Sequence, residues 1–193
     1  MPHPGSFRIG PEAVLVPVKA FADAKRRLAP ALLAAERAAL ARSMAEKVVA
    51  AARSLPVAVV CDDTEVAVWA RQLGALVIWE PEQGLNRAVE AGVIRLGDAG
   101  AERVTVAHAD LPLATDLTWL GRFEGVTLVP DRRHDGTNVA CVPTAAGFRF
   151  SYGPGSFVRH QQEARRLCLP LRIVDEPLLA WDVDQPADLE FRR

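Results

Sequence analysis

The chain has 193 residues, of which 50% are hydrophobic and 24% are charged, and its net charge is −1. This length and composition are typical of one globular domain that can bury its own core. A net charge near zero excludes the general attraction to nucleic acid or to anionic membranes that a strongly basic chain would have. We therefore expect neither a nucleic-acid partner nor a membrane partner.

The cysteines and the N-terminal residues indicate a soluble cytoplasmic protein. Cys61, Cys141 and Cys168 are far apart, and three cysteines cannot all pair within one chain. Their spacing does not match a zinc site. Residues 1–10 lack the layout of a signal peptide, and the apolar run Ala13–Val18 is too short to span a bilayer.

Short apolar runs alternate with helical patterns along the chain. The runs carry no polar alternation, which favours strands that are buried on both faces of a mostly parallel sheet. The expected strands are Ala13–Val18, Val57–Val60, Leu76–Trp79, Val104–Ala107 and Val126–Val129. Three helices are expected between them. The first begins at Pro30 and has Leu33, Leu40, Met44 and Val48 on one face. The second is capped by Asp63 and ends at Gly74, and the third covers Leu85–Leu96. This repetition predicts a doubly wound α/β fold.

The last third of the chain has a different pattern. We expect strands at Asn138–Val142 and Phe148–Tyr152 around a turn, a helix over Ser156–Leu167, a strand at Leu171–Val174 and a helical turn from Pro186. In open α/β sheets, ligands bind beyond the carboxyl ends of the strands. The functional residues are therefore sought at that edge.

Three aspartates are candidates for a metal site. Asp110 directly follows the strand that ends at Ala107; alone, it is equally well explained as the cap of a helix near Leu113. Asp182 and Asp184 flank Val183, and residues two apart in an extended segment face the same side. Such close carboxylates repel each other unless a cation neutralises them, and Mg²⁺ prefers carboxylate and phosphate oxygens. A solvated acidic turn is the alternative.

A glycine-rich segment and a nearby turn are candidates for binding an anion. Tyr152–Ser156 leads directly into a helix, where free amides attract phosphate; the expected donors are the amides of Gly153, Gly155 and Ser156 and the Ser156 hydroxyl. Asp135–Asn138 places the Thr137 hydroxyl beside a turn, although in isolation an ordinary Asp-Gly hairpin turn explains this segment better. Arg132 and Arg133 precede this turn and are placed to hold an acidic substrate.

Basic residues follow the first strand. Lys19 ends it, and Lys25 and Arg27 come a few residues later, which suits a loop that holds a triphosphate and stabilises charge on a leaving pyrophosphate. Asn86, at the start of the third helix, is placed to hydrogen-bond a base or a ribose. His108, His134 and His160 have no metal-site spacing, and His108 reads as structural.

Taken in order, these segments resemble the guanylyltransferases that activate 2-phospholactate or phosphoenolpyruvate in the biosynthesis of the deazaflavin coenzyme F-420. The segment Asp135–Asn138 followed by Gly153–Ser156 is the most specific part of the resemblance. The other matching segments are Val16–Lys19, Ala24–Leu28, Gly84–Asn86, His108–Leu113, Pro130–Arg133, Arg159–His160, Asp182–Asp184 and Pro186–Leu189.

The resemblance implies a single Rossmann-like nucleotidyltransferase domain of the GT-A type over residues 1–193, with a mostly parallel mixed central sheet. It implies GTP as donor, pyrophosphate as product and Mg²⁺ as cofactor, held by Asp110, Asp182 and Asp184. It also assigns the acceptor's phosphate to Thr137, Gly153 and Ser156. The residues themselves, rather than the resemblance, give Lys19, Lys25, Arg27 and Asn86 as the expected contacts with GTP.

The resemblance leaves the acceptor open among phosphoenolpyruvate, 2-phospholactate and 3-phosphoglycerate. The Ala- and Arg-rich composition looks bacterial, which favours phosphoenolpyruvate, and a downstream transferase that accepts the product is an expected partner. Two other functions compete. One is a molybdopterin or sugar nucleotidyltransferase or a glycosyltransferase, although Pro17–Lys19 stands where the first two usually carry a glycine-rich loop. The other is a non-catalytic GTP-binding domain, which has no need of three aspartates.

Overall fold

The computed structural model of the chain describes residues 9–81 and 84–190. Most of the N-terminal segment judged to lack a signal peptide lies outside them. The strands are β1 (Glu12–Pro17), β2 (Val57–Cys61), β3 (Leu76–Trp79), β4 (Arg103–Ala107), β5 (Val126–Pro130), β6 (Thr137–Pro143) and β7 (Leu171–Ile173). The α-helices are α1 (Ala34–Ala51), α2 (Thr64–Gln72), α3 (Gly84–Asp98), α4 (Ser156–Arg166) and α5 (Pro177–Ala180).

All seven strands belong to one sheet, in the order β3-β2-β1-β4-β6-β5-β7. Strand β6 runs antiparallel to β4 and β5, and the other pairings are parallel. The expectation of a mostly parallel mixed sheet in an α/β domain is therefore confirmed. Because β6 is reversed, its first residue, Thr137, lies at the same edge as the carboxyl ends of β1, β4 and β5.

The sheet is covered on both faces, which explains the uniformly apolar strands. Successive residues of β1 enter opposite cores: Val14 and Val16 pack with side chains of α1 and α2, whereas Leu15 packs with α3 and α4. All three are fully buried. A strand buried on both faces has no polar side to alternate, as the sequence pattern indicated.

The first helix begins later than Pro30. Residues 29–32 form turns in which the amides of Ala31 and Leu32 donate to the Leu28 carbonyl. Helix α1 begins at Ala34, and the preceding Leu33 amide donates to the Glu36 carboxylate at 2.7 Å. This single bond from the Glu36 carboxylate to the backbone before the helix fixes where the helix starts. Leu33 is consequently 74% exposed rather than part of the apolar face, whereas Met44 and Val48 are buried as predicted. The cap by Asp63 is confirmed, since its carboxylate accepts the Val66 amide at 2.9 Å.

The predicted strand Phe148–Tyr152 is wrong. Phe148, Phe150 and Tyr152 are buried in alternation, but this segment joins no sheet. Its backbone amides donate instead to side chains of α3 and α4: the acceptors for residues 149–152 are Glu163, Glu90, His160 and Asn86. A period-two burial pattern reports which side of an extended segment is covered, and it does not identify the hydrogen-bond partners.

Within the described ranges, none of the helices has the length and apolar character needed to cross a membrane. Cys61, Cys141 and Cys168 are all free thiols, and only Cys168 is exposed.

Gly125 provides a test of the packing at the end of the sheet. A Cβ atom there would lie 2.0 Å from the Pro170 carbonyl oxygen, which accepts the Val126 amide beside the β5–β7 pairing. We expect Gly125→Ala to lower the free energy of unfolding by about 2 kcal/mol, because backbone must move to relieve the overlap. Urea unfolding measures this. Gly10→Ala, where nothing lies within 4 Å of the added carbon, is the control and should change stability little.

Candidate active site

A cavity of about 690 Å³ opens at the carboxyl edge of the sheet. Nine of the ten predicted site residues line it: Lys19, Lys25, Arg27, Asp110, Thr137, Gly153, Ser156, Asp182 and Asp184. They come from loops after β1 and β4, from the start of β6, from the start of α4 and from the C-terminal segment. A smaller cavity of about 470 Å³ between the ends of α1 and α2 contains none of them.

One end of the cavity is acidic and is neutralised by a lysine. The Lys25 ammonium lies 2.5 Å from one carboxylate oxygen of Asp110 and 3.0 Å from one of Asp184, while Arg27 lies 3.4 Å from the other Asp184 oxygen. Burial acts to lower the pKa of Lys25, but the two carboxylates outweigh it and the pKa is raised. Likewise, burial acts to raise the pKa of Asp110, yet Lys25 lowers it overall.

Asp182 bears the uncompensated charge of this end. Burial and then the charges of Asp110 and Asp184 raise its pKa to about 6. Val183 points into the core between Leu28 and Met44, so the predicted alternation of the Asp182–Asp184 segment is present. The Val183 amide donates to the Asp110 carbonyl at 3.3 Å, which fixes the two acidic segments side by side. No helix lies near Leu113 in the described chain, so Asp110 does not serve as a helix cap.

The acidic end offers donor atoms for a cation. One carboxylate oxygen of Asp110 is buried without a hydrogen-bond partner, and Asp182 lies beside two further carboxylates. Such oxygens suit a hard cation. As the side chains lie, no three His, Cys, Asp or Glu residues in the described ranges form a ready metal site, and the Lys25 ammonium lies between two of the three predicted ligands.

Asp188 anchors the Asp182–Asp184 segment and was missed by the sequence analysis. One of its oxygens accepts the amides of Asp184 and Gln185 at 2.8 and 2.7 Å, and the other pairs with Arg132. The Arg132 guanidinium also lies over the Trp181 ring at 4.0 Å. Arg132 therefore bonds to the residues that fix the Asp182–Asp184 segment, and the expected contact of Arg132 with an acidic substrate is not supported. The capping-box spacing of Gln185 and Asp188 was the available signal.

The opposite end of the cavity is lined by backbone amides and hydroxyls, and most of these amides are already bonded within the protein. The Thr137 amide donates to the Ser156 hydroxyl at 3.1 Å, and Asn138 donates to the Leu179 carbonyl at 3.0 Å. The Gly155 amide is bonded to Asp135 and the Ser156 amide to the Gly153 carbonyl, both at 3.0 Å, so neither is free for an anion, contrary to expectation. The Gly153 amide has no partner among the described residues. The Asp135–Gly136 turn therefore does more than connect β5 to β6, because Asp135 also joins this turn to the start of α4.

Arg159 fixes the direction of this loop. Its guanidinium donates to the carbonyls of Ser151, Pro154 and Gly153, including bonds of 2.7 Å to Ser151 and 2.6 Å to Pro154. The exposed Arg159 thus binds the carbonyls of the loop, whereas the Gly153 amide stays available to a ligand in the cavity. Gly153 has a φ of +113°. The glycine is required there, since L side chains rarely adopt that backbone conformation.

Two other residues differ in position from what the sequence suggested. Asn86 lies outside the cavity lining, and its carboxamide oxygen accepts the Tyr152 amide at 2.6 Å. It therefore braces the glycine loop, and its contact with GTP stays a prediction. His108 lines the cavity against Tyr152, with the ring centroids 4.7 Å apart. The His108 Nε2 and the Tyr152 hydroxyl are both buried without a partner in the described chain.

Comparison with known proteins gives this arrangement a family. Residues 12–191 match the family described as "Guanylyl transferase CofC like". The chain belongs to this guanylyltransferase family. It is therefore a member of a nucleotidyltransferase family, as the sequence segments indicated.

Sequence relatives and a solved structure agree with the family. A phosphoenolpyruvate guanylyltransferase from Sphaerobacter thermophilus is 37% identical over 91% of this chain and 89% of that protein. A 2-phospho-L-lactate guanylyltransferase from Halorubrum lacusprofundi is 38% identical over 86% of this chain and 76% of that protein. A nucleotidyl transferase from Methanothermobacter has the same fold, with a TM-score of 0.62 at 14% identity over 92% and 93% of the two chains.

The raised pKa of Asp182 predicts a pH-dependent effect on stability. With a pKa of about 6 in the folded protein and 3.8 as its ordinary value, Asp182 binds more protons when folded between these values. The free energy of unfolding therefore falls as the pH rises through this interval. We expect Asp182→Asn to be more stable than the wild type at pH 7.5 without divalent cations, by roughly 1 kcal/mol, and to lose this advantage near pH 4.

Urea unfolding at the two pH values measures the effect, and Asp62→Asn, which removes an exposed aspartate away from the cavity, is the control. A stability gain for Asp182→Asn of equal size at both pH values would show that Asp182 has no raised pKa.

Proposed function

We propose that this protein transfers GMP from GTP to the phosphate of phosphoenolpyruvate, or of 2-phospho-L-lactate, and releases pyrophosphate, as a step in the biosynthesis of coenzyme F-420. The product is a guanylylated acid that a downstream transferase would consume. The observation that carries the proposal is the division of one cavity into an acidic, lysine-containing end and an end with hydroxyl and amide donors.

The two ends suit the two substrates. Three donors, from Thr137, Gly153 and Ser156, line one end and suit the acceptor's phosphate. At the other end, Lys19, Lys25 and Arg27 suit the phosphates of GTP, with exposed Lys19 open to a ligand and Lys25 already bonded to carboxylates. Lys25 would exchange at least one carboxylate partner for a phosphate oxygen. The cavity volume lies within the range of small-molecule sites.

Positioning is the main contribution of the protein to the proposed reaction. An oxygen of the acceptor's phosphate attacks the α-phosphorus of GTP, the bond from that phosphorus to the bridging oxygen breaks, and the electron pair leaves with pyrophosphate. A phosphate dianion is already a competent nucleophile, so no protein base is required. The chain's residues hold the reacting groups in line and neutralise charge on the leaving group.

Mg²⁺ is the proposed cofactor, and Asp110, Asp182 and Asp184 are the residues that would hold it. The unpartnered Asp110 oxygen and the charge crowding at Asp182 support this assignment. When bound, the ion would neutralise negative charge on the phosphates of both substrates.

A substrate panel tests the proposed function. Purified protein with GTP and Mg²⁺ receives phosphoenolpyruvate, 2-phospho-L-lactate or 3-phosphoglycerate, and pyrophosphate release is measured together with the product mass. We expect a guanylylated product with phosphoenolpyruvate, because relatives from bacteria carry that activity in their names. A product with only 2-phospho-L-lactate would correct the acceptor. No product with any acid, even with the downstream transferase present as a trap, would contradict the function.

Asp182→Asn tests the metal assignment. We expect turnover to fall at least 100-fold while the protein stays folded, because one carboxylate ligand is lost from a site that neutralises phosphate charge. Steady-state rates across a Mg²⁺ titration measure this, with Asp62→Asn as the matched control. Wild-type turnover with an unchanged Mg²⁺ dependence would reject Asp182 as a ligand.

A further inference from the structure

We infer that His160 is a positioning residue that donates to the Thr137 hydroxyl oxygen and so turns the hydroxyl hydrogen towards the cavity, where it can donate to a bound phosphate. The inference rests on the proposed function in one respect, the location of the acceptor's phosphate at this end of the cavity. His160 lies on α4, is fully buried and does not line the cavity.

The hydrogen bonds of His160 determine its tautomer. The Ser151 backbone amide lies 2.9 Å from Nε2. An amide N–H can only donate, so Nε2 must be the unprotonated nitrogen of the ring. A neutral imidazole then carries its single hydrogen on Nδ1. Nδ1 lies 3.0 Å from the Thr137 hydroxyl oxygen, and it therefore donates to that oxygen.

This bond fixes what Thr137 can do. A hydroxyl has one hydrogen to donate, and here its oxygen already accepts from His160. The Thr137 hydrogen is thus free for another acceptor, and Thr137 lines the cavity. The Ser156 hydroxyl is in the same situation, since its oxygen accepts the Thr137 amide at 3.1 Å. Two hydroxyls and the Gly153 amide then offer hydrogens, a combination that selects an anion.

The surroundings of His160 keep it in one state. The rings of Phe148, Phe150 and Tyr152 lie around it, with centroid distances of 5.8, 5.9 and 4.9 Å. Burial lowers the pKa of His160 to about 4, and His108 and Arg159 act in the same direction. The imidazole is therefore neutral near pH 7. The surrounding rings hold its plane by packing.

Two substitutions separate this role from a purely structural one. His160→Gln can offer a carboxamide oxygen to the Ser151 amide, but it lacks the donor at the Nδ1 position. His160→Asn has a shorter side chain, which can offer its NH₂ to Thr137 but does not reach Ser151. If His160 served only to hold the loop, Gln would be the better replacement. If it orients Thr137, Asn is the better one.

Binding of inorganic phosphate, followed by NMR at the Gly153 amide, is the primary measurement because it needs no turnover. We expect His160→Gln to weaken phosphate binding about tenfold, the effect of one lost bond to a charged group, and His160→Asn to weaken it less than threefold. Thr137→Val should weaken it about tenfold, and His160→Gln should add nothing further in the Thr137→Val background. Thermal unfolding establishes that each variant is folded.

Several results would overturn the inference. These are equal effects of His160→Gln with and without the Thr137 hydroxyl, a larger effect of Asn than of Gln, no phosphate binding at Gly153 in the wild type, or a hydrogen on Nε2 in ¹H–¹⁵N spectra of His160. The proposed function fails separately, through the acid panel. Phosphate binding with the expected coupling but no guanylylated product would reject the function and keep the role of His160, and turnover without coupling would do the reverse.

Discussion

The concentration of carboxylates at one edge of the sheet is the constraint on which the site depends. Asp110 follows β4 and is joined through the Val183 amide to the Asp182–Asp184 segment, so the charges cannot move apart. Lys25 reduces the repulsion by bonding to Asp110 and Asp184, but Asp182 keeps a raised pKa. This uncompensated charge at a cavity supports the proposal that a cation and phosphates bind there.

The other end of the cavity depends on how the loop amides are used. Side chains of α3 and α4 accept the amides of residues 149–152, Asp135 accepts the Gly155 amide, and Arg159 binds the loop carbonyls. After these bonds are made, the Gly153 amide and the hydroxyls of Thr137 and Ser156 are the donors that line the cavity there. The proposed binding of an anion therefore depends on the hydrogen-bonded groups around the loop as much as on the groups that would touch the ligand.

The sequence allowed the strands, the alternation around Val183 and nine of the cavity residues to be predicted, because each depends on local periodicity or on the position of a strand end. It did not allow the path of Phe148–Tyr152 to be predicted, since an extended segment bonded to Glu90 and Asn86 has the same burial pattern as a strand. The roles of Asp188 and His160 depend on contacts with residues 56 and 23 positions away, which periodicity does not report.

Buried polar atoms that lack hydrogen-bond partners are concentrated in the residues that line this cavity. Native proteins leave few such atoms, because each costs about 1–3 kcal/mol in lost hydration. Of the five found in the described chain, three belong to residues that line this cavity: an Asp110 oxygen, the His108 Nε2 and the Tyr152 hydroxyl. His108 and Tyr152 have no part in the predicted phosphate or metal contacts. Both belong to the lining of the cavity, so the cost of their unpartnered atoms falls on the same region of the fold as the crowded carboxylates.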